Sequence, residues 1–118
     1  MHQLFSYGTL QLSHVQMAIF GRPLSGLPDI LLGYVESTLV IQDASVIQTS
    51  GRREHLAIRY TGNRADRVPG VVFEISALEL ARSDEYESGA YVRVEATLES
   101  GCTAWVYVDA QHAGEPDT

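Results

Sequence analysis

The chain contains no lysine; all eight of its basic residues are arginine. Schiff-base chemistry, a lysine general base and pyridoxal attachment are thereby excluded. Cysteine is almost as scarce. Cys102 alone cannot close an internal disulfide, and its place in an apolar alternating run points to a small buried thiol. His2, His14, His55 and His112 stand far apart and never at metal-motif spacing, so no metal site is expected. The glycines form neither a dinucleotide fingerprint nor a P-loop, and no Gly-x-Ser-x-Gly elbow occurs.

Positive charge is short as well. Fifteen acidic residues against eight basic ones give a net charge of −7. A nucleic-acid surface needs a basic stripe with aromatic platforms, so no nucleic-acid partner is expected. The pair Arg52-Arg53 reads as a solvated edge. No charged leader with an apolar block opens the chain, and no apolar run approaches the roughly 18 residues of a membrane span. A soluble cytoplasmic protein with no membrane partner is the expectation, and nothing in the sequence speaks to its oligomeric state.

What is present suffices for one core: 118 residues, 45% hydrophobic. The expected organisation is a single domain over residues 1–110, followed by a polar tail over residues 111–118. Leu4 to Tyr7 predict a first strand ending at Gly8. Ser13 and Gln16 resemble a capping box before a short helix from His14 to about Phe20, within a connection from Gln11 to Pro28 broken by Gly21, Pro23 and Gly26. Ile30 to Ile41 predict one long strand with a bend at Gly33. His55 to Tyr60 and Val68 to Ile75 predict two more strands, the second with Pro69 near its start, where a missing donor costs least. Ser76 with Glu79 forms a better capping box, opening a helix from Ala77 to about Tyr86 that Gly89 stops. Tyr91 to Leu98 and Cys102 to Asp109 complete the set, joined by a turn at Glu99-Ser100-Gly101. In the former strand Val92, Val94, Ala96 and Leu98 share one face, which predicts a sheet with one core face. The fold class is α+β, a small mixed or barrel-like β-sheet with one well-marked helix.

Two clusters of polar residues can carry chemistry. The turn Tyr7-Gly8-Thr9-Leu10 either closes a local turn or turns its N–H groups and the Thr9 hydroxyl toward a carboxylate or developing oxyanion. Asp84 and Glu87, three residues apart near the helix end, either face solvent or form an acid/base site. A like-charged neighbour and the negative helix terminus would raise the pKa of whichever carboxylate is buried.

Five blocks in order resemble the gamma-glutamylcyclotransferase-like, or AIG2-like, family. They are Phe5 to Leu10, Val68 to Ile75, Asp84 to Ser88, Tyr91 to Val94 and Ala104 to Val108. The resemblance implies a small mixed fold around a barrel-like sheet, and cyclisation of a gamma-glutamyl amide to 5-oxoproline with release of the amine. It implies Glu87 as the acid/base, Tyr7, Gly8, Thr9 and Leu10 as the substrate turn, and Tyr91 as a lining residue. No metal or organic cofactor is implied, and the partner is a small gamma-glutamyl or amino-acid-like molecule. The family's glycine after the glutamate is Ser88 here, with Gly89 one place later. A non-enzymatic module that binds a carboxylate or amino-acid-like ligand is the alternative, and a partner-binding protein using strand edges or Gly21 to Pro28 is a third reading.

Overall fold

The computed structural model describes residues 1–112. Most of the expected polar tail, residues 113–118, lies outside the described residues, while Ala110–His112 form a 3₁₀ turn.

Seven strands and three α-helices alternate irregularly along the chain: β1 (His2–Ser6), α1 (Ser13–Phe20), β2 (Gly26–Leu32), β3 (Tyr34–Val40), α2 (Ala44–Ser50), β4 (Glu54–Tyr60), β5 (Arg67–Ile75), α3 (Ala77–Glu87), β6 (Tyr91–Thr97) and β7 (Thr103–Asp109). Five strands form a mixed sheet in the order β2-β5-β1-β7-β6, and β3 with β4 forms a separate ribbon. The α+β class is as expected: α3 is the well-marked helix, α1 lies where the short helix from His14 is expected, and α2 is additional.

β1 is the central strand. It runs antiparallel to β5, Ser6 opposite Val71, and parallel to β7, Phe5 opposite Val106. Alternation along these strands feeds two cores. Leu4, Phe73, Ile75 and Tyr107 pack with α1, α2 and α3 on one face, whereas Phe5, Val68, Val106 and Val108 pack with Tyr34 and Ile58 of the ribbon on the other. The expectation of a single core face is thus corrected. Along β6, Val94 and Ala96 pack on the ribbon side and Tyr91 on the helix side, while Val92 is exposed.

The expected long strand from Ile30 to Ile41 is two strands in different sheets. Gly33 adopts φ +85°, a conformation strained for other residues, and its carbonyl accepts from the Thr61 and Gly62 amides. The break lets β2 pair with β5 while β3 turns away to β4. β2 also begins earlier than expected and includes Pro28, which an edge strand tolerates. The Ser13 cap is not formed: Leu12 is the N-cap of α1, and the Gln16 side chain instead donates to the Leu10 carbonyl and accepts from the Leu24 amide. Cys102 is half-buried and precedes β7 rather than opening it.

α3 starts as its sequence predicts. The Ser76 hydroxyl accepts from the Glu79 amide at 3.1 Å, and the Glu79 carboxylate accepts from the Ser76 amide at 2.9 Å. Arg22 adds a bidentate ion pair to Glu79 at 2.7 and 3.0 Å. Ser76→Ala is expected to destabilise the fold by about 1 kcal/mol in urea unfolding, the usual loss for an N-cap hydroxyl.

Candidate active site

The Tyr7 to Leu10 turn lies where β1 leaves the sheet. Gly8 has φ −133° and ψ −140°, and Thr9–Gln11 form one 3₁₀ turn. The first amides of such a turn have no internal acceptor. Gln11 donates to the Gly8 carbonyl and Leu12 to the Thr9 carbonyl, whereas the Thr9 and Leu10 amides donate to no described residue. The Thr9 hydroxyl is already engaged, sharing a hydrogen bond of 2.8 Å with the Tyr86 hydroxyl. The Leu10 side chain, 2% exposed, belongs to the core, so its contribution to a site is its backbone.

Tyr86 connects this turn to α3, and Glu87 follows it as the last residue of that helix. Ser88 leaves the helix at φ −59° and ψ 149°. Any residue adopts that conformation, so the family's glycine is not needed there. Gly89 supplies the left-handed step at φ +89°.

Glu87 and the turn line one small cavity of about 20 Å³, with Tyr7, Gly8, Thr9, Leu10 and Tyr91 all in its wall. All the residues expected in the site therefore converge. The tyrosines are fixed by backbone carbonyls: Tyr7 donates to Tyr107 at 2.6 Å and Tyr91 to Leu56 at 2.6 Å. Burial, first of all, raises both phenol pKa values, and the Glu87 charge raises them further, so both stay neutral donors.

Glu87 itself has no hydrogen-bond or ion-pair partner among the described residues. Desolvation pushes its pKa up to about 8. The expected repulsion from a like-charged Asp84 is not the cause. Asp84 is committed elsewhere, accepting from Arg93 at 2.8 and 3.1 Å and from the Tyr107 hydroxyl at 2.7 Å. Arg93 in turn lies 4.2 Å from the centroid of the Trp105 ring. Asp84 is thus a clamp between α3, β6 and β7.

The wall also contains His55 and Tyr107, which the sequence does not single out. His55 is 4% exposed, and burial lowers its pKa; its Nε2 lies 2.9 Å from the Ser50 hydroxyl. Only strand alternation marks His55 in the sequence, and that signal does not separate a site residue from a core one.

Two larger cavities share walls with the small one. A cavity of about 400 Å³ adjoins Tyr7, Gly8, Thr9 and His55 and includes Arg52. A cavity of about 380 Å³ adjoins Glu87 and Tyr91 on the other side. Among the described residues no three His, Cys, Asp or Glu side chains gather to hold a metal, and no helix is long and apolar enough to cross a membrane.

The family model described as gamma-glutamyl cyclotransferase, AIG2-like, matches residues 4–117. The chain belongs to this family. Among solved structures, an Arabidopsis thaliana protein is 21% identical with a TM-score of 0.69, covering 96% of this chain and 64% of its own. A protein described as gamma-glutamyl cyclotransferase is 18% identical with a TM-score of 0.70, covering 92% and 66%. An uncharacterized Homo sapiens protein is 20% identical with a TM-score of 0.70, also covering 92% and 66%. These likenesses establish the fold. The chain spans about two thirds of the length of these three relatives. No curated protein matches the sequence significantly.

Proposed function

We propose that the protein is a cytoplasmic enzyme that cyclises a small gamma-glutamyl amide to 5-oxoproline and releases the amine. The observation that carries this reading is the cavity shared by Glu87 and the Tyr7 to Leu10 turn.

In such a substrate the α-amine and the γ-carbonyl belong to one molecule. Folding it so that nitrogen meets carbonyl carbon replaces a bimolecular encounter, and the remaining work is proton transfer and charge stabilisation. The free Thr9 and Leu10 amides suit either the glutamyl carboxylate or the oxygen of the attacked carbonyl. Glu87 takes a proton from the α-ammonium, and the freed amine attacks. A C–N bond closes the five-membered ring, Glu87 gives its proton to the amide nitrogen as the original C–N bond breaks, and it then takes the second proton from the ring nitrogen and passes it to the departing amine, which leaves as its ammonium. The proton balance closes without a second acid or base.

A carboxyl with pKa near 8 suits both halves of this cycle. It is a stronger base than an ordinary carboxylate, and an approaching ammonium offsets the desolvation that keeps it neutral. Neutral Tyr7 and Tyr91 shape the walls without competing for the proton.

The test is release of 5-oxoproline from a panel of gamma-glutamyl amides and peptides, assayed by mass spectrometry between pH 6 and pH 9. Product from at least one member is expected. Calorimetric binding without product from any member would favour the ligand-binding module instead.

A further inference from the structure

The end of α3 that delivers Glu87 is closed differently from the ends of the other two helices. α1 and α2 each finish in a left-handed glycine, Gly21 or Gly51, whose amide donates back to the Met17 or Ile47 carbonyl. α3 finishes at Ser88, which is extended and whose hydroxyl donates back to the Glu85 carbonyl at 2.9 Å, in an exposed position. The placement of its last turn therefore depends on what its buried side chains grip.

Ser83 shares a hydrogen bond of 2.6 Å with the Tyr107 hydroxyl, and Asp84 accepts from Arg93 and Tyr107, so both tie the helix to the sheet. Tyr86 is directed elsewhere. Among the described side-chain hydrogen bonds, its 2.8 Å contact with the Thr9 hydroxyl is the one that joins α3 to the substrate turn. Tyr86 is 6% exposed and Thr9 8%, so water competes little for either hydroxyl. Burial, first of all, raises the Tyr86 phenol pKa, which keeps the group a neutral hydroxyl. Tyr86 is adjacent to Glu87 in the chain, and Thr9 carries one free amide with Leu10 carrying the next. The two halves of the proposed site thus meet through one pair of hydroxyls.

Ring closure needs both halves at once. Glu87 must meet the α-ammonium while the two amides hold an oxygen of the same molecule, whether that oxygen belongs to the carboxylate or to the attacked carbonyl. An error of about 1 Å in such a placement can cost about a hundredfold in rate. We propose that Tyr86 is a positioning residue: through the Thr9 hydroxyl it fixes the Thr9 and Leu10 amides relative to Glu87, and the Thr9 side chain serves this bond rather than the substrate. This inference rests on the cyclising function proposed above. A Thr9 hydroxyl that donated to substrate would act separately from Tyr86, and the two roles differ in what their joint removal does.

The test is a double-mutant cycle on the full chain with Tyr86→Phe, Thr9→Val and the two combined. Folding is checked by circular dichroism, and 5-oxoproline release is measured at pH 7 with the member of the gamma-glutamyl panel that the wild type converts fastest. Each single change is expected to lower kcat at least about tenfold while KM stays within about threefold, because placement is lost and ground-state binding is kept. The combined variant is expected to lose no more than about twofold beyond either single one, where independent roles would multiply to about a hundredfold. That variant also leaves no buried hydroxyl unpaired, so it folds most readily of the three. Should a single variant not fold, the combined one decides alone: a kcat about tenfold below wild type with KM retained supports the inference, and a wild-type kcat overturns it. Unchanged kcat in folded Tyr86→Phe, a loss confined to KM, or losses that multiply also overturn it, and leave the cyclising function standing. Absence of 5-oxoproline from the wild type with every panel member overturns both.

Discussion

Glu87→Gln is expected to abolish activity while making the protein more stable at alkaline pH. The loss in 5-oxoproline release should be at least about a hundredfold, the ordinary size of a general acid/base contribution. Glutamine keeps the shape of the side chain and removes only its proton chemistry, so KM should change far less than kcat. The gain has a separate origin. Burial raises the folded-state pKa from 4.5 to about 8, and the unfolded chain has the ordinary value. Between those values the folded protein holds a proton that the unfolded chain has released, so stability falls as pH rises through this window. Above pH 8 the penalty levels off at no more than about 5 kcal/mol, and at pH 4.5 and below it vanishes. Urea unfolding should therefore show the variant more stable than wild type at pH 8 and equal to it near pH 4.5. Equal stability at both pH values would mean that Glu87 is solvated.

Gly70→Ala is expected to cost about 3 kcal/mol, at the upper end of overpacking effects, and to remove most activity with it. A methyl group at Gly70 would stand 2.5 Å from the Phe5 ring and 2.5 Å from the Ser6 carbonyl oxygen. Phe5 is fully buried in the ribbon-side core and cannot yield. Ser6 can move only by dragging β1, whose next residues are the substrate turn. The same carbonyl accepts from the Gln11 side chain at 2.9 Å, so displacing it also loosens the far end of that turn. Chemical denaturation measures the first effect and the 5-oxoproline assay the second. A folded variant of wild-type stability would contradict the close approach of β5 to β1.

The site residues were legible because each sits at a local signal. The glycine of the turn, the capping box at Ser76 and the acidic helix end are short-range features, and the helix they define delivers Glu87 without help from elsewhere. What holds that delivery in place is long-range and left no mark in the sequence. The Thr9 and Tyr86 hydroxyls meet across 77 residues, and Tyr7 reaches the Tyr107 carbonyl across 100. The cause of the raised Glu87 pKa is hidden from the sequence for the same reason. Asp84 looks like a repulsive neighbour until Arg93, nine residues on, is seen to hold it. α2 is not legible in the sequence because its seven residues, Ala44–Ser50, include two serines, a threonine and a glutamine and bury only Val46 and Ser50. The division of β2 from β3 was visible only as Gly33, whose positive φ ends one sheet pairing and begins another.

The proposed chemistry turns on one carboxyl group kept neutral by burial beside the substrate turn. A ¹³C-detected NMR titration of the Glu87 side chain in the free protein tests it most directly. A midpoint near pH 8 is the predicted result. A midpoint near 4.5, the value of an ordinary solvated glutamate, would contradict it and remove the physical basis for proton transfer at this site.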